Sequence, residues 1–229
     1  MLSLKGNMAN GKQRPKKPWP TKDAMEQVYA MKLWGSDSSP FYSGEGSHAP
    51  NIINPYIGAI TSFLGSFDSP LVVCDLGCGD FNVGKELVQH TKKYIAVDIV
   101  SELISYNKSV FKIENLEFVC SDIAVDALPK ADCVFVRQVL QHLSNAEIQR
   151  ILPKLNAFKY VILTEHLPLG NFEPNVDIIS GQGTRLKKNS GVDLLAPPFH
   201  LKVMEEKQLI SIRLVTTKSV IVTKLFTLF

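Results

Sequence analysis

The chain has no apolar run near the roughly 18 residues a membrane-crossing helix needs, although 45% of its 229 residues are hydrophobic. Its opening, Met1 to Pro20, holds no continuous apolar stretch and does not read as a secretory signal. Only 4 cysteines occur, at Cys74, Cys78, Cys120 and Cys133, and no two form a CxxC pair. The CxxxC of Cys74 and Cys78 has no ligand cluster beside it, so no metal is expected. All four fall in or beside apolar runs, as buried reduced thiols do, which suits a cytoplasmic protein. Acidic residues are missing from positions 1–22, which carry Lys5, Lys12, Arg14, Lys16, Lys17 and Lys22. With those six set aside, 19 of the 25 basic groups face 22 acidic ones, so the rest of the chain is about −3 rather than +3. A nucleic-acid-binding protein would carry such charge on its folded surface. The segment is instead expected to be a flexible, solvated tail, and nucleic acid is not the expected partner.

What remains, residues 23–229, is long enough for one domain with a sizeable core. Asp23 to Trp34 reads as a helix through Met25, Val28, Tyr29 and Leu33, and a second helix fits Ile52 to Leu64 despite Pro55 and Gly58. Apolar runs follow at Leu71–Cys74, Tyr94–Val97, Leu116–Cys120, Cys133–Val136 and Tyr160–Leu163. Between them lie helix-like stretches at Val83–His90, Ser101–Phe111 and Asn145–Leu152, while the link holding Pro129 has room only for a turn. Strand alternating with helix predicts an α/β fold with a mostly parallel sheet. His200–Val215 and Lys218–Leu228 are strand-rich and separated by a polar turn, which predicts a closing antiparallel hairpin.

The densest constellation is Val72-Val73-Cys74-Asp75-Leu76-Gly77-Cys78-Gly79-Asp80, an apolar strand running into an acid and two close glycines. Glycines let such a turn take unusual backbone angles and let a ligand approach the main chain. In doubly wound sheets this turn falls at the strand ends, where ligands bind. A dinucleotide fingerprint would place glycine three residues after Gly79, and Asn82 stands there instead. The carboxylates Asp75 and Asp80 disfavour a pyrophosphate and suit the ammonium and sulfonium of S-adenosylmethionine. The next strand ends at Asp98, 21 residues beyond Gly77, where an acid can accept from ribose hydroxyls. The third ends at Asp122-Ile123, an acid and an apolar residue fit for an adenine amine and ring face, a reading preferred to a helix cap at Asp122.

On these residues the chain resembles class I S-adenosylmethionine-dependent methyltransferases, and within them a bacterial-type group with Cys-Gly-Asp-Phe-Asn after the first strand, here Cys78 to Asn82. Further matching segments are Trp34-Gly35, Ser43 to Ser47, Asp98 to Val100, Arg137 to Ser144, Asn175 to Ile178, Gly181, Arg185 and Ala196 to Phe199. The resemblance implies a Rossmann-like, seven-stranded fold with the cofactor across the first four strand ends and Ser43 to Ser47 folded over its methionyl end. Many class I enzymes have a third glycine where this chain has Phe81. The expected cofactor residues are Ser43, Gly44, Ser47, Asp75, Gly77, Cys78, Gly79, Asn82, Asp98, Ile99, Asp122, Ile123, Arg137 and Gln138.

The methyl acceptor should approach the ends of the fourth and fifth strands. A hydroxyl acceptor must lose a proton, and His142, Glu165 and His166 are the candidate catalytic groups there. Arg137 could instead pair structurally with Asp132 or Glu165. The long stretch 167–199 reads as a substrate lid, with Asn175, Asp177 and Arg185 as acceptor-binding candidates. Its basic cluster, Arg185, Lys187 and Lys188, would suit an anionic acceptor. The expected reaction is methylation of a small-molecule or glycan-type acceptor, with oxygen as a candidate atom. Methylation of protein or nucleic acid, and cofactor binding without catalysis, are the alternatives; no Asn-Pro-Pro-Tyr-type motif supports a base-amino methylase.

Overall fold

Strand and helix alternate as the residue pattern predicts in a computed structural model that describes residues 18–229. Five apolar runs become strands, β1 (Val72–Leu76), β2 (Lys93–Asp98), β3 (Leu116–Cys120), β4 (Cys133–Arg137) and β5 (Tyr160–Pro168), of which all but the edge strand β3 are largely buried on both faces. Two short strands, β6 (Glu173–Pro174) and β7 (Ser190–Gly191), pair with each other in the segment that follows. The hairpin β8 (Glu205–Leu214) and β9 (Ser219–Thr227) completes a seven-stranded sheet of order β3-β2-β1-β4-β5-β9-β8. The first five strands are parallel; β9 runs antiparallel to both β5 and β8. The edge strand β8 opens with Glu205, Glu206 and Lys207, all exposed, a charged rim that discourages pairing with another chain.

Among the described residues five α-helices accompany the sheet: α1 (Thr21–Ala30), α2 (Pro50–Leu64), α3 (Gly84–Leu87), α4 (Ser101–Val110) and α5 (Asn145–Leu155). On one face α2 buries Tyr56, Ile60 and Leu64 beside Ile104 of α4. On the other, α5 buries Ile148, Ile151 and Leu155 together with Val192, Leu194 and Phe199 from the segment between β5 and β8. Each such side chain contributes about 1.5–3 kcal/mol by leaving water. Helix α5 starts at a capping box, with Ser144 and Glu147 satisfying each other's backbone N–H groups. Pro50 occupies the first turn of α2, where no N–H is needed, and Pro55 gives up only one bond. By contrast α1 is thinly anchored, through Met25 against Val100 and Leu103.

Four expectations need correction or limits. Strand β1 runs two residues further than the sequence suggested, because Asp75 and Leu76 stay in register with Ala96 and Val97. Strand β5 continues through Glu165 and His166 to Pro168, because β9 pairs along its whole length. Cys120 is exposed, whereas Cys74 and Cys133 are buried and Cys78 is half-buried. Most of the expected basic tail, residues 1–17, lies outside the described residues, and Lys22 already belongs to α1. Among the described residues no helix is long and apolar enough to cross a membrane.

Candidate active site

The turn after β1 is fixed by its neighbours. The N–H groups of Gly77 and Cys78 both donate to the carbonyl of Val97, at 2.8 and 2.9 Å. Gly77 and Gly79 hold φ of +75° and +57°, and a Cβ on Gly77 would lie 2.3 Å from Cγ2 of Val139. Phe81, at the position where related turns have a third glycine, also sits in the left-handed region, at φ +64°. A side chain there costs about 1–2 kcal/mol. Its ring is fully buried, edge-on to Tyr94, Phe111 and Phe118, and that burial offsets the backbone cost. Gly84 is then obligatory, since a Cβ there would meet the Phe81 ring at 2.3 Å.

The loop 43–48 is tied down onto this turn. Asp80 accepts from the Ser43 N–H and from the His48 ring, each at 2.7 Å, while the Asp80 N–H donates to Ser43 Oγ at 2.8 Å. Tyr29 of α1 hydrogen-bonds the same Ser43 hydroxyl at 2.9 Å. Asn82 Nδ2 donates to the Ser47 carbonyl at 2.8 Å, and Arg137 donates to Ser47 Oγ at 3.1 Å and to the Gly46 carbonyl. Arg137 therefore pairs with neither Asp132 nor Glu165; it braces the loop and lies over the Tyr56 ring at 4.9 Å. Sequence reading singled out Ser43 and Arg137 but neither His48 nor Asp80 as the loop's anchor, because Ser43 and Asp80 are 37 residues apart.

Between loop, α1 and strand ends lies a cavity of about 420 Å³. Its floor and walls include Ser43, Gly44, Ser47, Asp75, Gly77, Cys78, Gly79, Asp98, Ile99, Asp122, Ile123, Arg137 and Gln138, and also His142. Asp98 accepts from the Val100 N–H at 3.0 Å and the Gly79 N–H at 3.1 Å, and burial raises its pKa against those bonds. Asp75 accepts from the Tyr94 hydroxyl at 2.9 Å, and burial pushes its carboxyl up to about 6. Asp122 caps a tight turn through the Ala124 N–H at 2.9 Å; no helix follows it. Asp126 holds that corner by accepting from Ser121 Oγ and the Asp122 N–H. Among the described residues six carboxylates border the cavity (Glu45, Asp75, Asp80, Asp98, Asp122 and Glu147) against one guanidinium, Arg137. A cationic ligand fits that balance. Arg137 Nε and Gln138 Nε2 are buried without a hydrogen-bond partner, two donors suited to a carboxylate end on the same ligand.

Several candidates do not border the cavity. Asn82 is absorbed by the loop brace. Glu165 is buried within β5, its carboxyl oxygens without partners, and burial pushes its pKa up to about 8. His166 bonds Ser219 across the β5–β9 ladder at 2.6 Å. Asn175 bonds the carbonyls of Asp193 and Pro197, and Asp177 accepts from the Asn145 N–H at the start of α5. Arg185 is a buried rivet, donating to the carbonyls of Val176, Leu140 and Leu143 and to Asn145 Oδ1. Lys187 and Lys188 are exposed and outside the cavity, so the basic cluster does not face a bound acceptor there. His142 does reach it. Its Nδ1 lies 3.2 Å from the Gly183 carbonyl, which can only accept, so Nδ1 carries the proton and Nε2 accepts from Gln141 at 3.2 Å. Burial lowers its pKa to about 4. Sequence reading missed Tyr29, Met25, Gln182 and Thr184, which enter the wall from α1 and the segment after β5.

No curated protein matches the chain by sequence. Solved structures that share its architecture include the following three. The N-methyltransferase NodS from Bradyrhizobium japonicum WM9, bound to S-adenosyl-L-homocysteine, aligns over 90% of this chain and 99% of its own, with TM-score 0.66 and 10% identity. The magnesium protoporphyrin IX methyltransferase of Synechocystis PCC 6803, with S-adenosylmethionine bound, aligns over 93% and 100%, with TM-score 0.56 and 14% identity. Human N-acetylserotonin methyltransferase with S-adenosylmethionine aligns over 90% and 65%, with TM-score 0.51 and 18% identity. At such identities the likeness establishes a common fold. Residues 73–158 match the family model described as a methyltransferase domain. From β1 to just beyond α5, then, the chain is similar to a methyltransferase domain, and the strand ends of its sheet open on an acid-rimmed cavity.

Proposed function

We propose that the protein transfers a methyl group from S-adenosylmethionine to a small-molecule or glycan-type acceptor, as a member of the group marked by the Cys78-to-Asn82 turn. The observation that carries this reading is the acid-rimmed cavity at the ends of β1 to β4, with Asp98 buried on its wall. Asp98 is positioned by two backbone N–H groups and keeps lone pairs for the ribose hydroxyls. Asp122 and Ile123 would meet the adenine, Gly77 and Gly79 let the chain approach the ligand closely, and Asp75 faces the cationic end. Arg137 and Gln138 supply donors for the methionyl carboxylate. When bound, the cofactor supplies an electrophilic methyl carbon on a sulfonium.

The protein's own contribution is alignment for an in-line displacement, a source of about 7–11 kcal/mol when reacting atoms are well placed. Of the three side chains considered as bases, only His142 borders the cavity, and with a pKa of about 4 and Nε2 engaged by Gln141 it orients rather than deprotonates. A hydroxyl acceptor would have to give its proton to one of the cavity carboxylates or to water, and an amine would react in its neutral form.

Calorimetry with S-adenosylmethionine, S-adenosylhomocysteine and NAD tests the cofactor. Binding of the first two is expected, and the Asp98→Ala variant should bind them at least about tenfold more weakly, the scale of one lost charge-assisted hydrogen-bond site. Tight NAD binding with none of the sulfonium would overturn the reading. A labelled-methyl screen of amines, phenols and sugars then identifies the acceptor.

A further inference from the structure

The cavity is roofed by two segments far apart in sequence. One is α1 with the following Leu33 and Trp34; the other is the tip of the segment between β5 and β8, at Ser180 to Thr184. The two meet at two places. Gln182 donates to the Leu33 carbonyl at 2.7 Å and accepts on its own carbonyl from Trp34 Nε1 at 3.5 Å. At the opposite end, the Glu147 carboxylate accepts from Thr21 Oγ1, the first residue of α1, and from Ser180 Oγ. The same carboxylate takes the Ser144 hydroxyl at 2.7 Å and the Ser144 N–H at 3.2 Å, so one buried acid joins α1, α5 and the segment tip.

A capping acid needs only the Ser144 groups to do its helix work. The bonds from Thr21 and Ser180 are additional, and they span 126 and 33 residues. Burial works to raise this carboxyl's pKa, but the hydroxyls of Ser180, Thr21 and Ser144 outweigh it and hold the group below its ordinary value, hence charged at neutral pH. Among the described residues, α1 otherwise fully buries only Met25 and Val28, with Tyr29 packed on Trp34 and Phe41, a modest anchorage of the kind that opens locally.

We infer that Glu147 is a positioning residue that clamps α1 to the segment tip across the cavity, and that release of this clamp is the opening step through which cofactor and product exchange. The inference rests on the methyltransferase reading for its kinetic consequence, but not for its structural one. Its occupants and its chemistry stay those of the site already described; what Glu147 sets is how fast they enter and leave.

The test uses the full chain with Thr21→Val, which removes the α1 arm alone, Ser180→Ala, which removes the tip arm together with the bond it accepts from the Ser144 N–H at 2.8 Å, both leaving the Ser144–Glu147 capping box in place, and Glu147→Gln as the conservative variant. Hydrogen exchange on the unliganded protein should show α1 amides exchanging about tenfold faster in each arm variant while α5 stays protected. Stopped-flow release of S-adenosylhomocysteine should accelerate by a similar factor, raising the apparent KM for cofactor more than it changes kcat. Glu147→Gln, which keeps an acceptor oxygen, should recover part of both effects relative to Glu147→Ala. Unchanged exchange in α1 in both arm variants would overturn the clamp. A wild-type chain that binds neither S-adenosylmethionine nor its product would instead overturn the functional reading, and the exchange experiment would still decide the clamp.

Discussion

Gly77 has no room for even a methyl group: a Cβ would press on a branched, rotamer-locked Val139, and its φ of +75° disfavours any side chain. Gly77→Ala should therefore destabilise the fold by about 1–3 kcal/mol, as overpacking does, and weaken cofactor binding as the turn shifts. Urea unfolding and calorimetry on the variant check both; an unchanged midpoint would mean the turn relaxes freely. Glu165 makes a pH prediction. Its pKa rises from an ordinary 4.5 to about 8, first because it is buried, so the folded state holds a proton that the unfolded chain has released. That contribution is present below about pH 4.5 and is lost as pH rises towards 8. Glu165→Gln should flatten the decline of Tm over that interval; a variant with the wild-type slope would show that the carboxyl ionises freely. The glycines and Asp98 were readable from sequence because each answers to a local rule, a tight turn or a strand end. Asp80 as a loop anchor was not, since its partners come from elsewhere in the chain.

At the scale of elements, the ladder between β5 and β9 decided most of what the sequence reading misplaced. The apolar run stopped at Leu163, so Glu165 and His166 looked like loop residues at a strand end. In the structure they face Val222 and Ile221 across an antiparallel partner more than fifty residues away, a pairing no local pattern records. The alternation of strands and helices, and the closing hairpin, were legible because they depend on local periodicity. Within the ladder, the hydroxyls of Thr164 and Thr223 meet at 2.9 Å, both buried. Thr164→Val should cost about 1–3 kcal/mol by leaving Thr223 unsatisfied, while Thr164→Val with Thr223→Val should recover much of it. A double-mutant cycle by denaturant unfolding measures this; strictly additive losses would show that the two hydroxyls do not depend on each other.

For the molecule as a whole, the cavity is walled by α1, the 43–48 loop, four strand ends and the segment after β5, so a ligand there touches parts that otherwise communicate little. S-adenosylhomocysteine at 100 times its Kd should raise the unfolding free energy by about 2.7 kcal/mol, a Tm increase of roughly 5–10 °C for a chain of this size. Differential scanning calorimetry across ligand concentrations reads it, and a Tm independent of concentration would show that the folded chain does not bind this ligand.

The position of β9 has a consequence for how such a chain is made. This strand is the ninth in sequence but lies between β5 and β8. A nascent polypeptide halted between Leu214 and Ser219 would present the bare edge of β5 and a β8 with no neighbour, both open to adhesion with other unfinished chains. Translation must pass beyond this hairpin before the sheet can seal, so chaperone dependence should concentrate in that late interval of synthesis.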